Sequence, residues 1–136
     1  MDEYHEHAVL AANRLIEIGR ECESVLAVAA EVAESSDLRE HYRQRAAIWR
    51  EFCSALQQAV EDLGGTPPRG PGVSGTLRRA WIKIKSGVGD ADAIAAECAR
   101  REAEALRRCA HAAERDLTPE LQALIERFAP ELRAAG

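Results

Sequence analysis

Apolar side chains recur three or four positions apart along most of the chain, and the recurrence breaks in only a few places. Val9, Ala12, Ile16, Gly19, Leu26, Ala30 and Ala33 form one stripe and predict a first helix over about 7–34. Ser35-Ser36-Asp37 interrupts it; Asp37, with Glu40 three residues on, has capping-box spacing and predicts the start of a second helix. That helix carries Leu38, Tyr42, Trp49, Phe52, Leu56 and Leu63 and stops at Gly64-Gly65, a C-cap signal, giving about 37–63. A third stripe, Ile94, Cys98, Ala105, Cys109 and Ala112, predicts a helix over about 90–115. Asp116 or Thr118 then serves as a cap, and Pro119 suits a first helical turn. The last helix, about 119–133, faces inward with Leu121, Leu124, Ile125, Phe128 and Leu132, and Pro130 is expected to bend or fray its end.

Between the second and third stripes, residues 64–89 differ in kind. They hold seven of the nine glycines and three of the five prolines, which excludes a continuous long helix. They contain no acid but carry Arg69, Arg78, Arg79 and both lysines of the chain, Lys83 and Lys85. Within this crossover, Thr76 to Ser86 predicts a short amphipathic helix with Leu77, Trp81 and Ile84 on one face.

Composition narrows the class further. Of 136 residues, 26 are alanine and only six are aromatic, so a sheet-rich core has too little material and an all-α fold is expected. A net charge of −5 argues against nucleic acid as a partner. No apolar run is long enough to span a bilayer, and the acidic start around Asp2, Glu3 and Glu6 is unlike a targeting peptide, so a cytoplasmic location is expected. Cys22, Cys53, Cys98 and Cys109 lack C-x-x-C spacing and each falls within a helical stripe or beside one. Reduced thiols packed in the core are expected, rather than disulfides or a copper or zinc site. His5, His7 and His41 read as solvated. The Gly70-x-Gly72-x-x-Gly75 pattern has no strand before it, so it does not mark a nucleotide site.

The two halves echo each other. A shift of 79 residues places Glu23 on Glu102, Asp37-Leu38 on Asp116-Leu117 and Trp49 on Phe128, as if two helical hairpins were joined by the crossover. Two hairpins joined by one long crossover define a ferritin-type bundle. The segment Gly72-Val-Ser-Gly75-Thr-Leu77-Arg78-Arg79-Ala-Trp81-Ile-Lys83-Ile-Lys85-Ser86, with Leu63-Gly64-Gly65 before it and Ala93-Ile-Ala-Ala-Glu97-Cys98-Ala-Arg100 after it, resembles an uncharacterised bacterial family of ferritin-like four-helix bundles, domain of unknown function 2383. The first helix, with Leu15-Ile16-Glu17 and Glu23, also suits the family. The third helix departs from it: Ala99-Arg100-Arg101-Glu102-Ala103 stands where the family tends to have Glu-Arg-Gly-Glu-Asp, and Arg78 stands where histidine is frequent. The resemblance implies a ferritin-like fold and ancestry, and no activity.

A ferritin-like fold raises the question of a di-metal centre, which needs a glutamate from each of two helices and a Glu-x-x-His from each of the other two. Glu23 and Glu102 are the metal candidates, since both sit within otherwise apolar stripes. No Glu-x-x-His exists; His111-Ala-Ala-Glu114 reverses it, and Arg45 and Trp49 occupy the ligand level of the second helix. Counting turns from the helix ends places residues 23, 49 and 102 at one height, with Arg45 a turn away. A buried ionic cluster of Glu23, Arg45 and Glu102 is therefore expected in place of metal. Arg78, Arg79, Trp81, Lys83 and Lys85 form a candidate surface for an acidic partner or an anionic membrane, although apolar docking of this short helix onto the bundle explains most of the pattern.

These residues lead to a non-enzymatic ferritin-like bundle with a stress-related or partner-binding role, no cofactor, and a second copy or another protein as partner. The alternative is an iron- or manganese-binding member engaged in iron handling or oxidative-stress defence.

Overall fold

The chain turns where short polar side chains take over its free backbone donors. In the computed structural model, residues 3–70, 75–87 and 89–134 are described. They form α1 (Glu3–Val32), α2 (Ser36–Asp62), α3 (Gly75–Ser86), α4 (Ala91–Arg115) and α5 (Pro119–Arg133), so the described residues are all-helical. Residues 71–74, which open the crossover motif, and Asp2 lie outside the described residues.

The caps correct one sequence expectation and decide another. Ser35, not Asp37, is the N-cap of α2: its hydroxyl accepts from the Leu38 backbone N–H at 3.1 Å. Asp37 falls in the first turn, where its charge suits the positive end of the helix. Thr118 caps α5 by accepting from Leu121 N–H, while Asp116 ends α4. The aspartates matched by the 79-residue shift therefore start neither helix. α5 runs through Pro130 to Arg133, the extent expected from its stripe. The first helix begins at Glu3 because its opening turns are tied down: the Tyr4 hydroxyl donates to Leu117 O at 3.4 Å, and His7 Nε2 pairs with Asp116 at 2.8 Å. His7 is thus exposed but not merely solvated.

Cross-helix contacts fix the directions. Asn13 meets the Thr66 carbonyl, Arg20 meets Gln57 and Glu23 meets Arg50, so α1 and α2 are antiparallel. Tyr4 meets Leu117 and Cys22 meets the Arg101 carbonyl, so α1 and α4 are antiparallel too. Arg45 meets Glu131 and Phe52 stacks edge-on against Phe128, which sets α5 antiparallel to α2. Each long helix packs on two others in the cyclic order α1, α2, α5, α4, and α3 lies across α1 and α4.

Three partners explain why α1 is buried over a broader face than a single stripe, adding Leu15, Cys22, Val25 and Ala29 to the core. Its Gly19 is a packing requirement, since a Cβ there would collide with Cys53 Sγ. Leu77, Ala80 and Ile84 seat α3 on this surface. Trp81 is half-buried and Ile82 remains exposed at 59%. No helix among the described residues is long and apolar enough to cross a membrane.

Candidate functional site

Arg45 projects from the middle of α2 into the interior and is 4% exposed, a position that a guanidinium holds only with several acceptors. It has them. Nε and Nη2 both donate to Glu102 Oε1, at 3.0 and 2.7 Å. Nη1 donates to the Glu131 carbonyl at 2.8 Å and Nη2 to the Leu132 carbonyl at 2.7 Å. The last carbonyls of a helix lack intrahelical partners and carry its negative end, so one side chain both neutralises a buried carboxylate and caps α5. Trp49, fully buried one turn along α2, adds a third donor to Glu102 Oε1 through its indole N–H at 2.7 Å. Glu102 is 5% exposed. The result is an ionic brace joining α2, α4 and α5.

Glu23 is not part of it. Its carboxylate lies at the surface between α1 and α2, where it accepts from Arg20 Nη1 at 2.9 Å and Arg50 Nε at 3.0 Å. Height along a helix does not suffice for contact, because azimuth decides it. Cys22 takes the inward position, with its thiol donating to the Arg101 carbonyl at 3.4 Å, and Glu23 is rotated about 100° from it. Glu23→Gln is therefore expected to change unfolding free energy by less than about 1 kcal/mol, the range of partly solvated ion pairs; urea titration checks this.

The donor set does not fit a carboxylate-bridged metal pair. One of the two candidate glutamates is taken up by Arg45 and Trp49, the other by Arg20 and Arg50. Among the described residues, no three of His, Cys, Asp and Glu converge in a way that could hold a metal ion. The cysteines are free and buried. Burial pushes the thiols of Cys53, Cys98 and Cys109 up to about 12. Cys22 is raised well above its ordinary value by burial and then by nearby Glu102. Neutral thiols at physiological pH are poor nucleophiles and must lose a proton before binding metal.

Where α5 ends, the angle between α2 and α4 stays open as a groove of about 410 Å³. Leu38, His41 and Tyr42 form one wall, and Ala95, Ala99 and Glu102 belong to the other. A second charged feature lies on the far side of α4. Glu97 is 6% exposed and is met by Arg100, by Arg101 at 3.7 Å and by Lys83 of α3 at 4.0 Å. Lys83 was among the surface candidates; Glu97, Arg100 and Arg101 were not. Their one-turn spacing on a helix that α3 must cover was the available signal. Arg78 and Lys85 are exposed on α3, as is Arg79, whose guanidinium lies near Gly75.

Fold and site together define a helical bundle closed by a buried arginine–glutamate brace. The chain belongs to the family described as a domain of unknown function (DUF2383), whose match covers residues 7–116. That match takes in Arg45, Trp49 and Glu102 and stops short of α5, which supplies the carbonyl acceptors of the brace. No curated protein and no solved structure matches the chain.

Proposed function

We propose that this protein is a non-enzymatic, ferritin-like helical bundle that acts by binding, in which the Arg45–Glu102–Trp49 brace replaces a di-metal centre. The observation that carries this is the guanidinium itself. It sits between two helices beside the candidate glutamate Glu102, and with the Trp49 indole it takes up one carboxylate oxygen, Oε1, and neutralises the charge a cation would need. The cyclic helix order, the parallel run of α2 and α4 and the crossover that carries α3 support the ferritin-like part. The neutral, buried thiols support a non-catalytic role.

The test is elemental analysis of the chain produced in iron- and manganese-supplemented medium and passed through gel filtration. Metal well below one equivalent is expected. Retention of about two equivalents per chain, the stoichiometry of a di-metal site, would overturn the proposal.

A further inference from the structure

The charges around Glu97 exceed what the fold needs. Glu97 carries one negative charge, yet Lys83, Arg100 and Arg101 all turn toward it. Arg79 lines the same cleft. Like charges held this close repel one another, a cost that an added anion would remove. The donors also outnumber their acceptors: Arg101 Nε is buried and has no hydrogen-bond partner among the described residues, lying 3.7 Å from Glu97 Oε1. Beside these groups are two neighbouring spaces. A cleft of about 180 Å³ is bounded by Arg79, Lys83, Arg100 and Arg101. It shares Lys83, Glu97 and Arg100 with a wider groove of about 520 Å³ whose other walls are the small residues Ser86, Gly87, Ala93 and Ala96.

We infer that this junction of α3 and α4 is a binding site for a phosphoryl group of a small soluble molecule. The phosphoryl oxygens would lie in the basic cleft and the remainder of the molecule in the wider groove. Guanidinium forks match the oxygens of a phosphoryl group, and the lysine adds a compact charge. A net charge of −5 makes the rest of the surface repel anions, so affinity for a polyanion requires a local site such as this one. A lipid headgroup offers the same oxygens. However, the cations best placed for a flat bilayer are Arg78 and Lys85, which flank exposed Ile82 and line neither space. The partly covered Arg101 favours a ligand that enters the cleft. The inference goes beyond the brace and does not depend on it.

The test is calorimetric titration of the full chain with inorganic pyrophosphate, comparing two variants of equal charge. Lys83→Gln/Arg100→Gln alters the cleft at two exposed side chains, and Arg78→Gln/Lys85→Gln alters the outer face of α3. One pyrophosphate per chain is expected. The cleft variant should lose about a hundredfold in affinity, roughly tenfold for each charge-assisted contact, while the outer variant stays within about twofold of native. Lys83→Gln alone, expected to lose about tenfold, serves if the double variant fails to fold. Equal weakening in both variants would show only a diffuse field and would overturn the site, as would no binding by the native chain. Flotation with phosphatidylglycerol but not phosphatidylcholine vesicles, lost in the outer variant and unaccompanied by pyrophosphate binding, would assign the cations to lipid and also overturn it.

Discussion

Arg45→Ala is expected to lower the unfolding free energy by about 3–5 kcal/mol, the usual effect of removing one partner from a buried ion pair. Three losses combine. Glu102 stays buried without its counter-charge, the Glu131 and Leu132 carbonyls lose the donors that Arg45 supplies, and the space of a large side chain opens between α2, α4 and α5. Most of the cost comes from the stranded carboxylate, so Arg45→Lys should recover only part of it. An ammonium cannot reproduce the two-point contact with Glu102 Oε1 while also reaching both carbonyls. Urea denaturation with an unchanged slope would show that stability, not native compactness, has been altered. A change under about 1 kcal/mol would mean the guanidinium contributes no more than a surface charge.

Trp49→Ala should cost a similar amount, about 3–5 kcal/mol, for a different reason: a fully buried indole leaves a cavity that its neighbours fill only in part. It packs edge-on against Phe52, which in turn meets Phe128 of α5, so the cavity would open along the α2–α5 contact. Trp49→Phe separates volume from polarity. It keeps most of the ring packing but removes the N–H that reaches Glu102, and should cost about 1–3 kcal/mol. Chemical denaturation of the two variants checks the order; Phe indistinguishable from native would show the indole hydrogen bond to be inert.

Much of this architecture was readable because helix stripes record what is buried. Tyr42, Trp49, Phe52 and Leu56 follow one face of α2, and all four are core residues. The short helix in the crossover was legible for the same reason, through Leu77 and Ile84. The site was legible in part. Turn-counting can place Arg45 within a turn of the height of Glu102. Whether two side chains at one height meet depends on rotation about each helix axis, and a single-residue step moved Glu23 from the interior to the α1–α2 surface. The carbonyl acceptors on α5 were invisible to residue types, because backbone oxygens leave no mark in a sequence and the end of a helix is its least certain part. Glu97 was overlooked because its arginines follow it on the same helix, a pattern shared with ordinary exposed pairs such as Glu104 with Arg108. Only the packing of α3 over it sets it apart.

The brace is tested most directly by a double-mutant cycle on Arg45→Met and Glu102→Met, read by urea denaturation. The cycle cancels what each residue does alone, including the capping of α5 by Arg45 and the acceptance of the Trp49 N–H by Glu102. A coupling of at least about 2 kcal/mol is expected, with the double variant more stable than Arg45→Met by itself, because no charge is then left buried and alone. Strictly additive single effects would contradict the central claim that these two side chains hold the bundle together as a pair.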